Sequence, residues 1–164
     1  MFCKLGFSTT YIIIFLFVHQ EASDQWQPRS GIALALARIQ PYYDEFMVTQ
    51  AVSFFVPQAL GDRNEIVRKD MLSAAVATID NHGKNTVADL LPVFEDFLDN
   101  APSDSSYDIV RHSVVILMGG LARHLDKDDP KVRQCNDHNH NQSFALMQNA
   151  LSPSLFEENK TVRL

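Results

Sequence analysis

The residues best suited to chemistry gather late in the chain, where His124, Asp126, Asp128, Asp129, Asp137, His138 and His140 fall close together. Imidazole and carboxylate are natural ligands of a hydrolytic metal ion, which lowers the pKa of a bound water and polarises the bond it attacks. Such a site needs ligands at spacings that turn them to one side of an element, as His-Glu-x-x-His does on a helix. No pair in this group has that grammar. Asp126 to Asp129 read as helix-end and turn residues, and the His-Asn-His stretch reads as a polar insert. Nucleophilic chemistry has no better footing. Ser, His and Asp are present, but no Gly-x-Ser-x-Gly elbow exposes a hydroxyl and no Walker-type glycine loop cradles a phosphate. The expectation is a protein that is not an enzyme, without cofactor or metal, so its structural elements must serve another purpose.

Composition agrees with a folded domain. Of 164 residues, 46% are hydrophobic and 21% charged, within the globular range and enough for one domain. Fourteen Lys and Arg against twenty Asp and Glu leave a net charge of -6, which argues against a broad basic footprint on a phosphate backbone and leaves local basic patches. Cys3 and Cys135 lie near opposite ends, make no disulfide framework or zinc knuckle, and favour a reducing compartment.

The elements read as helices. Leu5 to Val18 is a run of 14 uncharged residues, too short for a span that needs about 20. It reads either as a signal-peptide core, with Gln20 a poor residue before a cut at Ala22, or as a segment foreign to the domain that follows. Pro28 suits a first helical turn, and Ile32, Leu34, Ala35, Leu36 and Ile39 form the face of a helix that leaves Arg29 and Arg38 for solvent and that Pro41 ends. A second helix runs from about Glu45 to Leu60, interrupted by Pro57 and closed by Gly61. A third runs through Met71, Leu72, Ala75, Val76 and Ile79 to Asn81-His82-Gly83, where Gly83 suits a left-handed cap. A fourth covers Thr86 to Leu98, and a fifth Tyr107 to Leu125, with Gly119-Gly120 as a point of close approach. Nothing alternates at period two over a useful length.

The informative pattern is a repeat. Ile66-Val67-Arg68 recurs as Ile109-Val110-Arg111, a shift of 43 residues, with helix, turn and helix around each copy. A period of about 40–47 belongs to HEAT and armadillo hairpins. Arg29 stands as a third, degenerate copy. Each repeated Arg lies at a helix margin, where Arg68 can meet an acidic residue such as Asp62. The fold class is therefore all-α, a HEAT/armadillo-type α-solenoid fragment of about two and a half hairpins with irregular ends. The expected divisions are 1–23, a hydrophobic leader or aberrant segment; 24–132, the repeat region; and 133–164, a divergent polar tail. Because each hairpin needs a neighbour to cover its faces, the last one is expected to present an open apolar edge, against which a short helix beyond Phe144 could dock.

Several blocks make a more specific resemblance. They are Asp24-Gln25-Trp26-Gln27-Pro28-Arg29-Ser30-Gly31, Phe54-Phe55-Val56-Pro57-Gln58-Ala59-Leu60-Gly61-Asp62-Arg63, Leu90-Leu91-Pro92-Val93-Phe94-Glu95-Asp96-Phe97-Leu98 and Leu121-Ala122-Arg123-His124-Leu125-Asp126-Lys127. Residues 24–132 closely resemble the ribosome-associated HEAT-repeat activator of the general amino-acid control kinase, which phosphorylates the alpha subunit of initiation factor two. The resemblance implies a noncatalytic cytoplasmic scaffold that binds stalled or collided ribosomes and helps the kinase respond to amino-acid starvation. The matched part looks like the central, elongation-factor-three-like region. The family's kinase-gripping segment has no counterpart here, so the resemblance implies a ribosome-side surface without the activating one. The ends look like a truncated gene model, a partial duplicate or a splice product.

In that setting Trp26, Arg63, Lys69, Arg123, Lys127, Lys131 and Arg133 are the candidate partner-binding residues: an aromatic anchor and a discontinuous basic strip for ribosomal RNA. Expected partners are the ribosome, the kinase pathway and neighbouring HEAT repeats, with no DNA and no membrane. Two other readings stand beside this one, an inert fragment and a small secreted or membrane-associated helical protein. The second draws on the leader and on the acceptor tripeptides at Asn141 and Asn159.

Overall fold

Polar residues set the helix starts. Asp44 accepts a hydrogen bond from the Met47 backbone N–H, Asn64 accepts from Ile66 and Val67, and Pro28 sits in the first turn of its helix. These are the devices by which a chain satisfies otherwise orphaned N–H groups. The computed structural model describes residues 3–125, with side chains from residue 11 onward. Its helices are α1 (Cys3–Gln20), α2 (Gln27–Ile39), α3 (Glu45–Phe54), α4 (Glu65–Asn100) and α5 (Asp108–Ala122). Short 3-10 turns occupy Gln40–Tyr42 and Ser105–Tyr107, and a π-helical segment, Phe55–Ala59, follows α3. No strand occurs among the described residues.

The helices stack as antiparallel hairpins around α4, which packs against α2, α3 and α5. Ala33 and Leu36 of α2, Val48 and Val52 of α3, Met71, Ala75 and Ile79 of α4, and Val114, Leu117 and Leu121 of α5 are all buried. α1 belongs to the same body. Phe17 is fully buried, its ring edge-on to Phe54 with centroids 5.1 Å apart, and the Tyr11 hydroxyl bonds Gln50 on α3. Its other side exposes Ile12, Phe15 and Leu16. Among the described residues, no helix is long and apolar enough to cross a membrane.

One expected boundary is absent. The spacing predicts a helix end at Gly83 and a new start at Thr86, but α4 runs through both for 36 residues, about 54 Å. Gly83 is not a left-handed cap, since none of the described glycines has positive φ. It lies buried within the helix, and a Cβ there would come 2.6 Å from His124 Cδ2. The absent side chain makes room for a ring from the end of α5. At Gly120 a Cβ would meet Ile79 Cγ2 at 3.4 Å, an ordinary contact distance, so α4 lies beside it without requiring a glycine there. Pro57 does interrupt the second helix. Val56 leaves helical geometry and the Val56–Pro57 peptide bond is cis, and Gly61 follows, where a Cβ would lie 3.0 Å from the Pro57 carbonyl.

Candidate interaction surface

The repeated arginines organise the turns. Arg29 donates to the carbonyl of Ser23 (2.8 Å), Arg68 to that of Asp62 (2.7 Å) and Arg111 to that of Asp104 (3.0 Å). Each receiving residue also accepts, through its side chain, the backbone N–H two positions on: Gln25 for Ser23, Asn64 for Asp62 and Ser106 for Asp104. Three times, then, a short polar side chain shapes a turn, and an arginine at the margin of the next helix closes it. Turns of this kind arise because Ser and Asp mimic backbone acceptors.

Arg29 does more. Its Nη1 also donates to the Gln20 and Gln25 carbonyls, while Nε and Nη2 hold both carboxylate oxygens of Asp62 at 2.7 and 3.1 Å. The two side chains are 1% and 3% exposed. The expected partner of Asp62 therefore needs correction. Its carboxylate takes the arginine of the preceding repeat, whereas Arg68 binds only its carbonyl, because consecutive hairpins stack side by side and bring Arg29 closer than the residue along the chain.

Of the predicted contact residues, Trp26, Arg63, Lys69 and Arg123 are described, and the three cations among them are ion-paired at the surface. Trp26 is half-buried and packs against the core beside α2. Arg63 pairs with Asp24 at 3.2 Å and also bonds the Ser23 carbonyl. Lys69 pairs with Glu65 at 2.8 Å along one face of α4, and Arg123 reaches back to Asp80 at 2.6 Å. Lys127, Lys131 and Arg133, the Asp and His residues from Asp126 to His140, the docking segment beyond Phe144 and the acceptors at Asn141 and Asn159 lie outside the described residues. Of the His and Asp group weighed above for metal binding only His124 is described, and among the described residues no group of three metal-ligating side chains occurs.

Carboxylates dominate where the arginines are occupied. The Lys69 ammonium, by hydrogen bond and charge, holds Glu65 below its ordinary pKa, and the Ser106 backbone N–H does the same for Asp104, assisted by the Ser106 side chain and Arg111. Residues 85–110 carry Asp89, Glu95, Asp96, Asp99, Asp104 and Asp108 without one Lys or Arg. Against this stretch, α3 contributes Asp44, Glu45 and a half-exposed Phe46, and an open groove runs between the two helices in adjoining clefts of about 490 and 520 Å³. Sequence reasoning misses this groove because its two walls come from different hairpin arms. The Ser23–Asp62–Asp104 series has a visible signal, an acceptor six or seven residues before each repeated arginine.

Stacked helical hairpins closed by turn arginines, without a constellation of reactive groups among the described residues, define an α-solenoid of the HEAT type, a class built for broad contact with other macromolecules. A family model described as "Stalled ribosome sensor GCN1, HEAT repeats" matches residues 10–123, and the chain belongs to that family. It is 57% identical over 116 residues to the human "Stalled ribosome sensor GCN1", which covers 71% of this chain and 4% of the relative. The Arabidopsis thaliana "Protein ILITYHIA" is 44% identical over 108 residues, 65% of this chain and 4% of the relative. The Saccharomyces cerevisiae "eIF-2-alpha kinase activator GCN1" is 36% identical over 115 residues, 68% and 4% respectively. The chain thus spans a small fraction of these relatives' length, and the family match begins inside α1. No solved structure matches the chain significantly.

Proposed function

We propose that this chain is a noncatalytic, cytoplasmic HEAT scaffold in translational control that contacts ribosomes, and that in the setting of its long relatives this contact serves activation of the kinase acting on initiation factor two alpha during amino-acid starvation. One observation carries the reading: the family likeness extends across the stacked hairpins, from α1 to the end of α5, in relatives named for sensing stalled ribosomes. The geometry supports a binding role, because hairpins stacked on the long α4 present extended helix faces, the kind of surface that α-solenoids use for contact.

Pelleting with purified ribosomes at low and high salt tests this. The full chain is expected in the ribosomal pellet at low salt and largely released at high salt, as surface electrostatics are screened. A chain that stays in the supernatant at low salt contradicts the proposal.

A further inference from the structure

We infer that the groove between the start of α3 and the middle of α4 is a docking site for a basic protein segment, one rich in lysine and arginine with an apolar anchor residue. The groove is lined by Phe46 and Glu45 on one side, with Asp44 at its end, and by Ala88, Asp89 and Pro92 on the other. Phe46, Ala88 and Pro92 give one of its two clefts an apolar patch. Phe46 is 50% exposed over it, and an aromatic ring presented in this way offers area for an aliphatic or aromatic side chain at small entropic cost.

Its rims are acidic. Asp44, Glu45 and Asp89 are all exposed, and among the described residues Asp89 and Glu45 form no ion pair. Lys84 stands a turn before Ala88 and does not line the groove. Carboxylates around the apolar surface of Phe46, Ala88 and Pro92 suit a cationic peptide and repel a phosphate backbone.

This inference deepens the ribosome reading and rests on it for the location of the partner. It adds a contact of the opposite sign to the one expected of the basic residues: at this face contact runs through a basic protein surface and not through RNA.

The full chain is titrated against a labelled peptide of lysine and arginine around one leucine, beside a glutamate-substituted version and a single-stranded RNA of similar length. Saturable binding of the basic peptide alone, weakened by added salt, is expected. Glu45→Lys with Asp89→Lys should weaken it by about tenfold or more, Phe46→Ala should also weaken it, and Lys84→Glu should strengthen it. Unchanged helical content by circular dichroism confirms the fold in each variant. Absence of saturable binding, equal binding of the acidic peptide, preference for RNA, or indifference to these substitutions overturns the inference. Ribosome pelleting of the same proteins separates the two claims. Peptide binding without ribosome association contradicts the ribosome reading alone, and ribosome association without peptide binding contradicts the groove alone.

Discussion

Arg29 and Asp62, separated by 33 residues, share two hydrogen bonds of 2.7 and 3.1 Å inside the protein and so tie one hairpin to the next. Three backbone carbonyls satisfy the rest of the guanidinium. A buried ion pair contributes little against a well-packed apolar replacement, but breaking it from one side strands a charge, at a cost of about 3–5 kcal/mol. Asp62→Ala is therefore expected to lower the thermal midpoint by roughly 10 °C or more. Arg29→Met combined with Asp62→Leu should recover only part of that loss, because the carbonyls of Gln20, Ser23 and Gln25 lose their donor. Thermal denaturation of the two variants checks both statements, and a mild Asp62→Ala would mean that the pair does not join the repeats.

The Phe17 ring tests whether α1 is part of the solenoid. It is fully buried and lies against Phe54, so Phe17→Ala should cost about 3–5 kcal/mol, as buried aromatic truncations do. Urea denaturation gives the value. A chain indifferent to this change would carry α1 as a detached leader.

The outer side of α1 predicts association. Ile12, Phe15 and Leu16 are each about half exposed, forming the sort of apolar patch that monomers avoid. Replacing Phe15 and Leu16 with Glu is expected to shift the purified chain toward the monomer in sedimentation velocity while leaving helical content intact. The same fraction of oligomer in both proteins would place the association elsewhere.

Gly83 and His124 should be coupled. A Cβ at Gly83 would displace the ring, while alanine itself favours a helix by about 1 kcal/mol over glycine. Gly83→Ala then has a small net effect, but His124→Ala should cost less in that background than in the original chain. The interaction energy in a double-mutant cycle is expected at about 0.5–3 kcal/mol. Strict additivity would show that the ring does not occupy the space above Gly83.

Glu65 and Asp104 set an acid limit on the helix starts near them. Both are held below their ordinary pKa in the folded chain, Glu65 by Lys69 and Asp104 by the Ser106 N–H. The unfolded state binds protons first as pH falls. The stabilisation is complete above the ordinary carboxylate range and disappears as pH drops through the depressed folded values. Amide exchange at Ser106 should rise as Asp104 protonates, with little response to salt, whereas the Glu65 titration should move toward its ordinary value in high salt. Ordinary titration of both groups in low salt would contradict the geometry.

Much of this architecture could be read from residue spacing. The apolar faces of α3 and α5, the interruption at Pro57 and the repeated arginines follow from period and turn chemistry. On α2 the buried side is shifted from the expected one: Arg29, Ala33 and Leu36 are buried and Leu34 is exposed. Gly83 was not legible, because a glycine that ends a helix and one that admits a distant ring look alike along the chain. What distinguishes them is His124, from another hairpin arm. Asp62 is a similar case, since sequence proximity favours Arg68 whereas stacking delivers Arg29. The ion pairs are hidden for a related reason: Arg63, Lys69 and Arg123 meet Asp24, Glu65 and Asp80, and only helix geometry or the fold brings each pair together. The groove beside Phe46 exists only once α3 lies along α4.

The most direct test of a scaffold role in sensing stalled ribosomes is the distribution of the tagged chain in cells treated with an elongation inhibitor at a dose that makes ribosomes collide. After nuclease digestion, the chain is expected to concentrate in the resistant two-ribosome fraction relative to single ribosomes and untreated cells. Equal recovery from all fractions, or recovery only at the top of the gradient, would contradict it.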